Sequence, residues 1–231
     1  MAGIADVFAK RGDFQQSLEY QQRALTIFEH FLPAVHASIS SVCQGIGSAY
    51  RGLGDVTKCL EFYLRSLAIN EQLQSALDPD LAACLSCISE VFSELGYHEK
   101  CLEFCLRSLS IEEQILPALH PSIAKSLYHV GKAQFQLGDV KKCLDYCLRS
   151  LAIQERSLPP LHVGTAVTLN AIAKAYRVLG DDKKCLDHFQ RSLAIFKELL
   201  PPTHPIITDC LANFREVYLK IRRNEPEFKL K

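Results

Sequence analysis

Between residues 121 and 158 the apolar positions fall at helical spacing. Ile123, Leu127, Val130 and Ala133 recur at steps of three and four residues, the pattern of an amphipathic helix. His120 precedes this stretch and Pro121 suits a first turn, because its fixed φ is already helical and an N–H there would have no partner. This predicts a helix A reaching to about Leu137. Gly138 can take the left-handed conformation that closes a helix, and Asp139 can cap the amides of the next one. A helix B follows from about Val140, with Leu144, Leu148, Leu151 and Ile153 apolar and Lys141, Lys142, Asp145, Arg149 and Glu155 turned to water, and it stops near Pro159. Helices joined by so short a turn pack antiparallel.

The same phrase is written five times. LGDVKKCLDYCLRSLAI (137–153) returns as RGDFQQSLEYQQRALTI, LGDVTKCLEFYLRSLAI, LGYHEKCLEFCLRSLSI and LGDDKKCLDHFQRSLAI, with Gly12, Gly54, Gly96, Gly138 and Gly180 spaced 42 residues apart. Self-similarity at such a period marks stacked units that need their neighbours to bury an apolar face. The units fall at about 1–35, 36–77, 78–119, 120–161 and 162–203, followed by a capping helix at 204–223 and a polar tail at 224–231. Gly47, Ser89, Gly131 and Ala173 form a column of small residues where helix B can approach helix A. The first helix A is shorter than the others, so the array is expected to continue upstream. At the other end, Arg215 takes the small-residue position, and the last helix presents Ile207, Leu211, Phe214, Val217, Tyr218 and Ile221 as its apolar face.

Small residue, aromatic, Gly-Asp turn, small residue and R-[AS]-L-x-I together resemble the tetratricopeptide repeat. Units of 42 residues with LPxxHP-like linkers (LPALHP, LPPTHP) are similar to the long-helix variety of kinesin light chains, the common repeat being about 34 residues. The resemblance implies an all-α, right-handed superhelical solenoid of antiparallel helix pairs whose A helices line a concave groove. An aromatic column of Phe8, Tyr50, Phe92 and Tyr176 fits it, interrupted by Gln134 with Phe135 alongside. In that family the groove positions lie about 13, 10, 6 and 3 residues before the turn glycine. Carried over by register, they give Ser41, Gln44, Ser48 and Arg51; Ala83, Ser86, Glu90 and Ser93; Lys125, Tyr128, Lys132 and Phe135; and Val167, Asn170, Lys174 and Arg177. The last two sets carry four cations and no anion, with Tyr128 and Phe135 beside them. Kinesin-light-chain-like grooves accept peptides with an aromatic residue among acidic ones, which this surface would suit; Glu90 and Glu94 would repel such a ligand from the preceding repeat. The Lys-then-Asn clamp of chaperone-binding relatives is not matched, since Gln44 and Ser48 stand where its first pair belongs.

Charge narrows the partner class. Lys+Arg and Asp+Glu are 26 each, so no global field draws the chain to nucleic acid or an anionic membrane. No apolar run is long enough to span a bilayer, and MAGIADVFAKRG lacks a signal-peptide pattern, which points to the cytoplasm. Of ten cysteines, Cys59, Cys101, Cys143 and Cys185 share one repeat position, taken by Ser17 in the first unit; a site accepting Cys or Ser wants a small side chain, and free buried thiols follow. Cys84 and Cys87 have CxxC spacing, but Cys101 and Cys105 on the next helix face different levels, so four convergent zinc ligands are not expected. His36, His120, His162 and His204 recur once per linker and read as capping or packing residues. Cys87 and His129 occupy equivalent positions, yet no orienting group or oxyanion hole accompanies them. The expectation is a non-enzymatic adaptor, without cofactor or metal, binding a protein or peptide. The alternative is a regulatory or sensing segment of a larger enzyme or signalling protein.

Overall fold

A computed structural model describes residues 2–73 and 77–224. Its chain forms two compact units, Met1–Ile115 and Leu116–Lys231. The first contains α1 (Ala2–Lys10), α2 (Phe14–Phe31), α3 (Ala37–Gly52), α4 (Val56–Gln72), α5 (Pro79–Glu94) and α6 (His98–Ile115); the second contains α7 (Pro121–Gln136), α8 (Val140–Ser157), α9 (Val163–Leu179), α10 (Asp182–Leu199) and α11 (Pro205–Asn224). No strand occurs among the described residues. Each unit is a solenoid of antiparallel helix pairs: α1/α2, α3/α4 and α5/α6 in the first, α7/α8 and α9/α10 with α11 in the second. The polar tail beyond Asn224 lies outside the described residues.

The turns follow from their sequence. Gly138 has φ +87°, its N–H donates to the Phe135 carbonyl at 3.1 Å, and the Asp139 N–H donates to the Gln134 carbonyl at 2.9 Å. These two bonds close helix α7 in the pattern that calls for glycine at the left-handed position. Asp139 Oδ1 then accepts from the Lys142 N–H at 3.1 Å and caps α8. Asp55 and Asp181 do the same for α4 and α10. The A helices are capped by the linker histidines: Nδ1 of His36, His120 and His162 accepts from the N–H of Ser38, Ser122 and Gly164 at 3.1, 3.2 and 3.0 Å, while Asp78 serves α5.

A β-carbon at Gly138 would meet nothing within 4 Å, so only backbone strain opposes a side chain there. Gly138→Val should therefore lower unfolding free energy by at least about 1–2 kcal/mol. Arg191, which meets Glu155 at 2.5 Å with both side chains nearly half exposed, should change stability by less than about 1 kcal/mol when replaced by alanine. Denaturant midpoints of the two variants give the comparison; equal shifts would contradict this placement of the turn.

Helix A buries what its pattern indicates, with Ile123, Leu127, Val130 and Ala133 all at most 3% exposed. Helix B differs from expectation. On α8 the buried stripe is Cys143, Cys147, Ser150, Leu151 and Gln154, while Leu148 is 39% exposed. Where small residues hold the two helices close, thiols and a hydroxyl (Cys143, Cys147 and Ser150) fill the contact line, and Leu151 packs in one cluster with Leu169 and Ile172 of α9. Ser108, Ser150 and Ser192 satisfy their hydroxyls by donating to the carbonyls of Ala82, Ala124 and Ala166 at 2.8, 2.6 and 2.7 Å, tying helix B to its own helix A. Aromatic rings make a second tie: Phe8 on Tyr20, Tyr50 on Phe62 and Phe92 on Phe104, with centroids 5.4–5.8 Å apart. At Gln134 the first ring is absent, and Gln134 is buried instead. On α11 the expected apolar face is split, since Ile207 and Val217 are buried but Leu211 and Tyr218 are about two-fifths exposed.

Candidate functional site

The groove positions of the first unit are stitched together by their own charges. Arg51 on α3 bonds Glu90 at 2.5 Å and Glu94 at 2.5 Å on α5. Burial alone would lower the guanidinium pKa, but the bonds to both carboxylates outweigh it and hold Arg51 firmly charged. Glu90 and Glu94 therefore do not stand alone: both bond Arg51, whose single positive charge offsets one of the two carboxylates. Gln44 reaches across to the Asp80 carbonyl at 3.4 Å. Ser48 is exposed and Ser86 half-buried.

In the second unit the groove positions of α7 and α9 meet α11. Tyr128, Lys132 and Phe135 from α7, Val167, Asn170 and Lys174 from α9, and Ile206 and Asp209 from α11 line one cleft of about 340 Å³. Its walls are mostly apolar, with polar groups among them, and burial pushes the Tyr128 hydroxyl pKa up to about 12, so this ring stays neutral. Lys125 is exposed one turn towards the start of α7 and lines a neighbouring cleft that shares Tyr128 and Val167.

The four expected cations do not stand alone. Lys174 Nζ lies 2.9 Å from Asp209, and Arg177 bonds Asn213 at 2.5 Å and Glu216 at 3.1 Å. The bond from Lys174 holds the Asp209 carboxyl below the usual carboxylate range. Lys132, exposed, has no ion-pair partner among the described residues. Asn170 is 7% exposed and its Oδ1 accepts no hydrogen bond. The face is therefore positive chiefly over α7 and close to neutral where α9 meets α11. Asp209 and Glu216 are the residues the register count misses: they lie 42 residues beyond Val167 and Lys174, at groove positions of a helix that has no turn glycine from which to count.

All ten cysteines are free thiols, nine buried and Cys87 half-buried. Burial raises the pKa of Cys59, Cys185 and Cys210 to about 11 and of Cys84 to about 12. Cys101 and Cys105 Sγ are 4.0 Å apart, but among the described residues no three His, Cys, Asp or Glu side chains converge as a metal site. Native protein treated with a thiol reagent at pH 8 should thus show one fast group, lost in Cys87→Ser, with the rest reacting only on unfolding. Several fast groups in the variant would contradict this burial. No helix among the described residues is long and apolar enough to cross a membrane.

The tetratricopeptide-repeat pattern matches residues 122–198 in one form and 40–73 in another. No curated protein sequence matches the chain. Among solved structures, the nearly identical TPR-like repeats of a candidate kinesin light chain from Podosopora anserina superpose with a TM-score of 0.72 at 20% identity, covering 87% of this chain and 95% of that one. BtubC (BKLC) from P. vanneervenii gives a TM-score of 0.71 at 18% identity, over 89% of this chain and 83% of the other. A Rap protein complexed with Competence and Sporulation Factor gives 0.67 at 16%, over 94% and 64%. With its turn glycines, capped helix pairs and two matched segments, the chain carries tetratricopeptide repeats at residues 40–73 and 122–198, and its 42-residue units share the fold of kinesin-light-chain-like repeats.

Proposed function

We propose that the chain is a non-enzymatic adaptor that binds a peptide segment of a partner protein in the cleft of α7, α9 and α11, and that this segment carries an aromatic residue beside acidic ones. The observation that carries this is the juxtaposition of an apolar cleft with Lys132, a cation not consumed by a neighbour. An aromatic ring gains most from such a cleft, since it buries more area than other side chains. A carboxylate next to it meets Lys132, and a peptide N–H can satisfy Asn170 Oδ1, whose burial without a partner is otherwise costly. The fold is that of a protein-interaction repeat, and the Rap protein of similar fold holds Competence and Sporulation Factor in its complex.

The test is a fluorescence-anisotropy titration of the full chain with a labelled peptide bearing one tryptophan flanked by aspartates, beside the same peptide with lysines for aspartates. Binding of the first, weakened by added salt, and not of the second is the expected result. Equal binding of both, or of neither, overturns the reading.

A further inference from the structure

Within each unit a helix A lays one side on the helix B before it. The joint of α8 with α9 and α10 shows the full arrangement: Leu151 of α8 packs with Ile172 and Ala175 of α9 and Ile195 of α10, and Glu155, one turn further along α8, bonds Arg191 of α10 at 2.5 Å. Four repeats earlier the positions of Ile172, Ala175, Ile195 and Arg191 are held by Ile4 and Val7 of α1 and by Ile27 and Arg23 of α2. There the apolar residues face water. Ile4 and Val7 are each 50% exposed, where Ile46 and Ala49 one repeat later are at most 1% exposed, and Ile27 is 41% exposed where Ile69 is 6% exposed. The outer face of a repeat array is ordinarily polar; this one is the apolar side of a joint.

Charge marks the same face. Arginines of α4, α6 and α10 reach back to a glutamate 36 residues earlier on the preceding helix B, Arg65 to Glu29, Arg107 to Glu71 and Arg191 to Glu155. Arg23 holds that position on α2. It is exposed, its guanidinium lies over the Tyr20 ring at 5.9 Å, and it has no ion-pair partner among the described residues. In α2, α4 and α8 the pairing glutamate follows a buried leucine by four residues, in LTIFE, LAINE and LAIQE (25–29, 67–71 and 151–155), and residues four apart lie on one side of a helix. One turn of such a helix offers apolar carbon to Ile4, Val7 and Ile27 and a carboxylate to Arg23.

We infer that the α1/α2 end of the first unit docks an amphipathic helix of a partner protein, one that carries leucine and glutamate four residues apart and lies as α8 lies against α9 and α10. A second copy of this chain is a poorer occupant, because its α2, α4, α8 and α10 already hold an A helix on that side. The surface uses no residue of the cleft of α7, α9 and α11 and stands whether or not that cleft binds a peptide.

The probe is a peptide of the α8 sequence, residues 140–157, which supplies Leu151 and Glu155 in their joint arrangement. It is titrated under reducing conditions into the full chain while the methyl signals of Ile4, Val7 and Ile27 are followed by NMR, with Ile46 and Ile172 as interior references. The expected result is saturable shifts at the first three and none at the references. Ile4→Glu, at a half-exposed position that a carboxylate can occupy without unfolding α1, should abolish them. Arg23→Glu should weaken binding about tenfold, since reversal replaces an attraction by a repulsion, and a peptide with Glu155→Arg should recover that loss. Absence of shifts at Ile4, Val7 and Ile27, an affinity indifferent to Arg23→Glu, or failure of the reversed peptide to recover it would each overturn the inference. Shifts of the same three methyls on raising the protein concentration without peptide would assign the face to a second copy and overturn it as well.

Discussion

Gly131→Leu should destabilise the second unit by about 3 kcal/mol or more, lowering its melting temperature by roughly 6–12 °C. A β-carbon at Gly131 would lie 2.7 Å from Cys147 Sγ and 3.2 Å from the Cys143 carbonyl. The second distance decides the magnitude, because a thiol can rotate and a helix backbone cannot. Relief requires α8 to move off α7, and that breaks the 2.6 Å bond from Ser150 to the Ala124 carbonyl and opens the contacts of Cys143 and Cys147 in the core. Gly3 is the matched control: it is also helical, but a β-carbon there meets nothing, so Gly3→Leu should be neutral or gain up to about 1 kcal/mol of helix propensity. Thermal unfolding followed by circular dichroism gives both values. Similar effects at the two glycines would mean that the helix pair is not held by close approach at the small-residue column.

What a reader of the chain can see, and what is hidden, divides along physical lines. The turn at Gly138–Asp139, the histidine caps and the helix A stripe are local matters, decided by backbone conformation and by residues within one turn of each other, and all are legible. The buried side of helix B is legible only in part, at the Cys143 column and Leu151. Apolar character points to Leu148, whereas contact geometry selects Cys147 and Ser150; closeness of two backbones is a property of the pair. Charge on the groove face fails for a similar reason. Lys174 and Arg177 look free when α9 is read alone, yet Asp209 and Glu216 sit on the adjacent helix. Continuing the 42-residue step from Val167 and Lys174 into α11 brings both to light, because the spacing persists where the turn glycine does not.

Lys132→Glu should weaken binding of the tryptophan-and-aspartate peptide by roughly 10–30-fold at low salt. Each exposed pair contributes on the order of 1 kcal/mol or less; reversal removes an attraction and adds a repulsion of similar size, and about 2 kcal/mol is a factor of that order. The substitution is clean because Lys132 is exposed and has no ion-pair partner among the described residues to strand. Lys174→Glu is different in kind. It would leave Asp209 facing a second carboxylate at the position where Lys174 Nζ is now 2.9 Å away, so any loss of affinity would come with loosening of α11 against α9. The two variants therefore separate recognition from architecture. Lys132→Glu should lose affinity with an unchanged melting temperature, and its remaining affinity should respond less to salt than that of the parent. Lys174→Glu should lose stability as well, most visibly as faster amide exchange along α11. An affinity indifferent to Lys132→Glu, in a peptide that the parent binds, would remove the charge from the recognition and leave the apolar cleft between Tyr128, Phe135 and Val167 to account for it.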